Sequence, residues 1–144
     1  MKPKIDLDGM PHNYMMCTNA SCDKSVFCLR YLAYECISES TISLNVVNPK
    51  MVAGRMMECP YFRSSDKVRY AKGFIGILDA LPVKVWKTVT LQLQFLFNVR
   101  NYYRVRKGER LLAPSEQRDI INVLRRNGVN GNSTFDSYVD VYEW

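Results

Sequence analysis

The sequence predicts a mainly α-helical single domain with minor β structure, in which an N-terminal cysteine-rich metal loop precedes a helical part. Three observations support this fold class. Apolar residues recur at helical spacing over most of residues 82–126, all five cysteines lie before residue 60, and only one short segment alternates like a strand. The 144 residues, 47% of them hydrophobic and 24% charged, suffice for one ordinary core and exclude whole-chain disorder.

The N-terminal elements are expected to be short. Residues 1–16 show no clear period, which predicts an extended arm. Residues 17–62 form the predicted cysteine-rich, metal-binding part. Within it, apolar side chains recur at helical spacing over residues 24–37, and the β-branched, alternating residues 41–47 indicate a short strand or hairpin. Residues 50–65 are expected to form a loop.

The helical part is expected to span residues 63–144. Asp66 can cap a short helix that runs toward Tyr70. Pro82 suits the first turn of a long helix, because its missing N–H would have no partner there. An apolar stripe then continues over about four turns, from Val83 to Phe97, which predicts one face packed against the core.

Two further helices complete the expected fold, after a basic, aromatic segment from Arg100 to Arg110 that ends near Gly108. Ser115 should cap a helix over residues 115–126, and a last short helix should cover residues 134–142. Trp86 should be mostly buried. The predicted core comprises Phe27, Leu32, Val89, Leu93, Leu96, Ile121, Leu124 and Phe135.

Four cysteines follow the spacing C-x4-C-x5-C-x30-C-P, namely Cys17, Cys22, Cys28 and Cys59. Thiolate sulfur binds zinc and iron strongly, and four sulfurs satisfy tetrahedral zinc or one iron–sulfur cluster. Three ligands within twelve residues can wrap one ion, and the fourth comes from a later loop. The spacing therefore predicts a metal site, with zinc favoured over an iron–sulfur cluster.

Two alternatives remain open at this point. The chain lacks the CxxC pair that usually marks a zinc site, so the four cysteines also fit plain reduced thiols. The fifth cysteine, Cys36, lies on an apolar helix face and is expected in the core. His12 is the one histidine and could join the ligands, although a lone histidine in a polar arm is more often exposed.

The formal charge of +6 is concentrated in the middle of the chain. Residues 61–126 hold fourteen Lys and Arg against five Asp and Glu, a net charge of +9. Cations can neutralise phosphates and aromatic rings can stack on bases, so this region is a candidate nucleic-acid surface, with an ordinary solvated face as the alternative. The candidate residues are Arg100, Tyr102, Tyr103, Arg104, Arg106, Lys107 and Arg110. Arg63, Lys67, Arg69, Tyr70 and Lys72 form a second basic cluster.

Catalytic and membrane functions find little support in the sequence. Neither a phosphate-binding GxxxxGK[ST] loop nor a GxSxG nucleophile motif is present. The pair Asp136 and Asp140 is spaced four apart but is expected near arginines or solvent. No apolar stretch is long enough to span a membrane, and the N-terminus does not resemble a signal peptide. A reducing, cytoplasmic compartment is therefore expected, in which cysteines stay reduced or bind metal.

Several short motifs resemble those of a bacterial family known only as a domain of unknown function. The similarity runs from Cys17 to Trp144 and implies a single domain without implying an activity. The matching stretches are Cys28-Leu-Arg-Tyr-Leu-Ala, Cys59-Pro-Tyr-Phe, Arg69-Tyr-Ala-Lys-Gly, Tyr102-Tyr-Arg, Gly108-Glu-Arg-Leu-Leu, Pro114-Ser-Glu-Gln and Phe135-Asp-Ser-Tyr. Residues 17–62 are also faintly similar to small zinc- or iron-chelating cysteine domains.

Together these features predict a non-enzymatic, metal-stabilised binding module whose partner is nucleic acid or another protein. The alternative is a redox or regulatory protein that carries an iron–sulfur cluster or oxidant-sensing thiols. Reactive thiols need accessible, electropositive surroundings, whereas a structural metal site is closed.

Overall fold

The computed structural model describes residues 4–53, 58–131 and 133–144, which divide into two compact units. Unit 1 comprises Met1–Lys67 and Tyr142–Trp144, and unit 2 comprises Val68–Val141. This division falls close to the expected border between the cysteine-rich and helical parts. The description of the whole chain as one domain stays a prediction.

Unit 1 contains little regular structure. A 3₁₀ turn at Ser25–Phe27 leads into helix α1, Leu29–Cys36, and a one-turn helix α2 follows at Pro49–Val52. Pro49 starts α2, and the Asn48 side chain accepts a hydrogen bond from the Lys50 N–H at 3.1 Å. The unit's apolar cluster consists of Ile5, Tyr14, Met16, Leu29, Leu32 and Ala33.

Unit 2 is a helical unit with one antiparallel strand pair. Its elements are β1 (Val68–Lys72), α3 (Ile75–Asp79), α4 (Val83–Phe97), α5 (Val99–Lys107), α6 (Pro114–Arg126) and β2 (Ser137–Val141). The core lies between the helices and β1, and includes Ala71, Phe74, Leu78, Val89, Leu93, Tyr102, Val105, Leu112, Ile120, Leu124 and Phe135. The predicted fold class, mainly helical with minor β structure, is confirmed. Within the described residues, no helix combines the length and apolar character needed to cross a bilayer.

The helix ends of unit 2 follow from local chemistry. Asn98 has a φ of 61° between α4 and α5, and its side chain accepts a hydrogen bond from the Asn101 N–H at 3.0 Å. Gly108 ends α5 with a φ of 82°, a left-handed conformation that favours glycine. α6 begins at Pro114, one residue before the cap expected at Ser115. The Glu116 side chain accepts a hydrogen bond from the Ala113 N–H at 2.9 Å and so satisfies a free donor at this end.

The strand pair occupies two segments that were expected to be helices. β1 pairs antiparallel with β2, with Val68 opposite Val141 and Lys72 opposite Ser137. The predicted helices over residues 66–70 and 134–142 are therefore wrong. The backbone groups of each strand are hydrogen-bonded to the other strand, more than sixty positions away in the sequence. The spacing of apolar residues within a short segment cannot predict such long-range pairing.

The strand expected over residues 41–47 is also wrong. The side chains from position 41 to 46 are exposed, and within the described part of the chain the one backbone bridge of this segment joins Val46 to Met16. The backbone of this segment is hydrogen-bonded to Met16 at Asn45 and Val47, but among the described residues it has no neighbouring strand to pair with. The loop expected over 50–65 includes α2, and residues 54–57 lie outside the described residues.

Most predicted core residues are buried, with two clear exceptions. Phe27 is 64% exposed, because it lies in the 3₁₀ turn and not in α1. Leu96 is 46% exposed on α4. Ile121 and Trp86 are partly buried against the core of unit 2, so Trp86 is less enclosed than expected. The remaining predicted core residues, Leu32, Val89, Leu93, Leu124 and Phe135, are buried.

Candidate metal centre

The four predicted cysteine ligands line one small cavity in unit 1. Cys17, Cys22, Cys28 and Cys59 all contribute to its wall, and the cavity measures about 20 Å³. A cavity volume of about 10–15 Å³ is enough for one water molecule, so this cavity has room for about one small molecule or ion. The four cysteines that sequence spacing grouped together therefore line one common space.

Backbone hydrogen bonds fix the segments that carry these thiols. The Cys17 N–H donates to the Arg30 carbonyl at 3.1 Å, which ties the first cysteine to α1. Cys28 is the N-cap residue of α1 and forms an isolated bridge with Ser64. The Leu29 N–H donates to the Arg63 carbonyl at 2.7 Å. The start of α1 is therefore joined both to the first cysteine segment and to the chain that follows Cys59.

Burial and mutual proximity shape the chemistry of the thiols. Cys28 is buried, and Cys17, Cys22 and Cys59 are partly buried, with all of them free of disulfides. Burial raises the pKa of the Cys17 thiol above its ordinary value of 9.0. A backbone hydrogen bond at Asn19 opposes this rise in pKa, while the neighbouring thiols Cys28, Cys59 and Cys22 add to it. The pKa of Cys17 thus responds to each of the other three, which agrees with their common cavity.

Two cations line the same cavity, Lys24 and Arg30. The Arg30 side chain is buried, donates from Nε to the Tyr61 carbonyl at 2.8 Å and from Nη1 to the Met15 carbonyl, and lies 4.7 Å from the centre of the Tyr14 ring. Arg30 therefore holds together the segments that precede Cys17 and follow Cys59. Sequence reasoning missed this role, since a single arginine in a helix pattern gives no signal of burial.

A ready-made ligand arrangement is not present in the part of the chain that the structure describes. Across residues 4–53, 58–131 and 133–144, no group of three or more His, Cys, Asp or Glu side chains is arranged to hold a metal ion. The thiols share a cavity without meeting at ligand distance from one point. Residues 54–57, which precede Cys59, lie outside the described residues.

The candidate extra ligand, His12, and the fifth cysteine, Cys36, lie elsewhere in unit 1. His12 is exposed and does not line the cavity. Cys36, at the end of α1, is partly buried against the apolar cluster of the unit. Its position agrees with the expectation that Cys36 packs in the core.

The candidate nucleic-acid residues divide between the surface and the interior of unit 2. Tyr102 is fully buried and contacts Phe74, so it cannot stack on a base, and it departs from the expected set. Arg106 is partly buried, and Arg110 pairs with Glu116 at 2.7 Å. The other four are exposed at positions i, i+3, i+4 and i+7 of α5, which is one helix face. This face, called the basic stripe below, consists of Arg100, Tyr103, Arg104 and Lys107.

The second basic cluster is more dispersed. The Arg69 guanidinium lies 4.4 Å from the centre of the Tyr138 ring in unit 2, and the Lys67 ammonium lies 5.0 Å from that of Tyr142 in unit 1. Lys72 packs closely beside Gly108 at the end of α5, where a Cβ at position 108 would lie 2.9 Å from the Lys72 Cγ.

Comparisons with known proteins give a family and no function. A model of a protein family of unknown function matches residues 1–144, which confirms the predicted membership of such a family and extends it to the N-terminal arm. The bacterial origin of the family and the similarity of residues 17–62 to metal-chelating cysteine domains stay predictions. No curated protein and no solved structure matches the chain.

Proposed function

Since the chain belongs to DUF6078, a family of unknown function, we propose its role from the site: a non-enzymatic, metal-stabilised binding module of the cytoplasm whose four-cysteine cavity holds zinc. The observation that supports this most is the common cavity of Cys17, Cys22, Cys28 and Cys59. Four thiolates would close the coordination sphere of zinc and leave no position for a catalytic water. The site would then stabilise unit 1 and carry no reaction.

The size and charge of the cavity favour a single ion over a cluster. A space of about 20 Å³ suits one ion, whereas an iron–sulfur cluster adds several iron and sulfide atoms. Four thiolates around one divalent ion leave two negative charges in excess. Lys24 and Arg30 line the same cavity and can balance them. Because the thiols are not arranged to hold an ion, zinc would draw them together, as expected where metal binding and folding are coupled.

The redox alternative is less well supported by the same residues. Oxidant-sensing cysteines have lowered pKa values and good access to solvent. Here burial raises the pKa of Cys17, and Cys28 is buried. Both features reduce the population of accessible thiolate in the metal-free protein and favour a structural role.

Metal content and cobalt spectra test the proposal. Protein purified under reducing conditions should hold one zinc per chain, and cobalt in its place should give the visible spectrum of a tetrahedral four-thiolate site. Single Cys→Ser changes at positions 17, 22, 28 and 59 should each weaken metal binding, whereas Cys36→Ser should not. A brown, iron-containing protein would support the cluster instead. No bound metal after reconstitution would refute the proposal.

For the binding surface, the basic stripe supports single-stranded nucleic acid as the partner. Three exposed cations follow one face of α5, and Tyr103 lies among them, 44% exposed. The Tyr103 ring packs edge-on against buried Tyr102, with 5.2 Å between ring centres, which holds it in position for stacking. Arginine and lysine can contact successive phosphates while a base stacks on the tyrosine.

Anisotropy titrations with a labelled single-stranded RNA and its DNA equivalent test this surface. Three phosphate contacts predict a log–log salt slope of about −2 to −3, and Tyr103→Ala should cost about 1–3 kcal/mol. Removing the three cations of the stripe together should abolish binding. Arg118→Ala combined with Arg125→Ala and Arg126→Ala, which removes three exposed cations of α6, is the matched control. Absence of binding at low salt would exclude nucleic acid, and binding that survives loss of the stripe would place it on another surface.

A further inference from the structure

Three large apolar side chains are exposed over the last two turns of α4 in unit 2. Phe95 is 94% exposed, Leu91 is 68% exposed and Leu96 is 46% exposed. Leu91 and Phe95 are four residues apart, so they lie on one helix face. A single exposed leucine is ordinary in a folded protein, but an apolar group that includes a nearly fully exposed phenylalanine marks an interaction surface.

These side chains line a groove between α4 and α6. Its volume is about 440 Å³, and its wall consists of Leu91, Gln92, Phe95, Leu96, Val123 and Arg126. The Asn127 Nδ2 donates to both the Gln92 Oε1 and the Val123 carbonyl at 2.8 Å, which joins the two helices beside the groove. Val89 and Leu93 anchor α4 to the core. The groove is therefore a preformed feature, large enough for one or two apolar side chains of a partner.

The charges around the groove are mainly positive. The only charged residues of α4 are Lys84 and Lys87, which lie seven and four positions before Leu91 and so extend the same face. Arg126 lines the groove itself. On α6, Asp119 and Glu116 lie four and seven positions before Val123, and Glu116 is paired with Arg110 at 2.7 Å. Because Glu116 is already paired with Arg110, three cations remain against one acid, Asp119. This excess favours an acidic occupant over a second copy whose identical cations would face them.

We propose that the α4–α6 groove docks an acidic amphipathic helix of a partner protein. Leucine or phenylalanine side chains of that helix, spaced i, i+3 or i+4, and i+7, would enter the groove between Phe95 and Val123. Its flanking Glu or Asp side chains would face Lys87 and Arg126. This docking site is independent of the metal and of the basic stripe.

Selection from a displayed library of helical peptides tests the proposal on the full-length protein. Apolar and charged positions of the library are randomised, with acidic and basic residues in equal proportion. The charge of the enriched peptides is therefore determined by the protein. Enriched peptides should combine the i, i+3 or i+4, i+7 apolar spacing with a net negative charge. The tightest should lose at least about tenfold in affinity for Phe95→Ala and Leu91→Ala. Charge reversal at Lys87 and Arg126 together should weaken the binding of the enriched acidic peptides. The same protein variant should bind peptides in which the acidic residues are replaced by lysine.

Phe95→Ala leaves the core intact because its side chain is almost entirely exposed. Ile42→Ala removes another fully exposed apolar side chain, in unit 1, and should leave peptide affinity unchanged. The proposal would be overturned if the enriched peptides were cationic, if Phe95→Ala left their affinity unchanged, or if no peptide were enriched. A concentration-dependent dimer that Phe95→Glu dissociates would show that the face pairs two copies. Binding to anionic vesicles that Phe95→Ala abolishes would show a lipid surface.

Discussion

Asp136 provides a sharp test of how unit 2 is held together. Its carboxylate accepts hydrogen bonds from the Ile75 N–H at 2.8 Å and the Gly76 N–H at 2.9 Å, so it caps α3 from sixty residues away. Sequence spacing had paired it with Asp140 on a helix, but Asp136 directly precedes β2. Its own N–H donates to the Gly73 carbonyl at 2.9 Å, a contact that any residue retains.

The expected cost of Asp136→Ala follows from these two bonds. Hydrogen bonds to charged groups contribute about 1.5–3 kcal/mol each, and loss of a capping side chain costs about 0.5–2 kcal/mol. Asp136 is exposed, so solvent screening places the total near the lower end, about 2 kcal/mol in the free energy of unfolding. Asp136→Asn keeps one acceptor oxygen and should cost about half as much. Urea unfolding followed by Trp86 fluorescence in a Trp144→Phe background measures unit 2.

Gly76 supplies the control within the same site. A Cβ at position 76 would lie 3.1 Å from the Asp136 Oδ1, so Gly76→Ala should destabilise the protein by displacing the carboxylate. In the Asp136→Ala background that contact is gone. The same substitution should then be neutral or stabilise by about 0.4–1 kcal/mol, because alanine restricts the unfolded chain. Equal effects of Gly76→Ala in both backgrounds, or a loss below about 0.5 kcal/mol for Asp136→Ala, would refute this reasoning.

Three further outcomes are expected. Leu93→Ala, which opens a cavity at a fully buried site, should cost about 2–5 kcal/mol by urea unfolding, and a loss below about 1 kcal/mol would contradict the described core. Tyr102→Phe should be neutral or stabilise by about 1 kcal/mol, because the buried Tyr102 hydroxyl has no hydrogen-bond partner within the described chain; a clear loss of stability would show a hidden partner. The metal-free protein should lose stability as the pH rises above about 9, since burial raises the pKa of Cys17 above 9.0 and that of Tyr14 above 10.0. Because both pKa values are raised, the protonated Cys17 thiol and Tyr14 hydroxyl contribute fully to the free energy of unfolding at neutral pH, and these contributions are lost as the groups ionise at alkaline pH. Tyr14→Phe should reduce the loss of stability above pH 10. A variant with the same dependence of stability on pH as the unsubstituted protein would contradict this prediction.

Local patterns in the sequence predicted the helices well and the strands poorly. The stripe from Val83 to Phe97 reports which side of α4 is apolar, because helix packing repeats every three to four residues. The same spacing in residues 134–142 led to a wrong prediction of a helix. This segment is a strand because its backbone pairs with β1, which local spacing does not show. The β-propensity of its aromatic and β-branched side chains was the signal that favoured a strand. Conversely, residues 41–47 have strand-like composition and no neighbouring strand.

The sequence predicted which cysteines lie near one another, but not which residues hold them in place. Cysteine is rare enough that its spacing alone grouped these four residues, and in the structure all four line one cavity. The buried Arg30 was not predictable, because its hydrogen bonds reach segments on both sides of α1. The burial of Tyr102 and the ion pair of Arg110, two of the seven candidate nucleic-acid residues, were not predictable for a related reason. Tyr102 turns toward the core while Tyr103 does not, and Arg110 is paired with Glu116 only once α6 folds back.

Unit-resolved stability with and without zinc tests the central claim most directly. The two tryptophans fall in different units, so Trp86→Phe leaves Trp144 as the reporter of unit 1. Free zinc at about 100 times its Kd should raise the stability reported by Trp144 by about 2.7 kcal/mol over the chelator-treated protein, and Cys59→Ser should abolish that difference while Cys36→Ser retains it. An identical unfolding midpoint with zinc and with chelator would contradict a metal-stabilised unit 1.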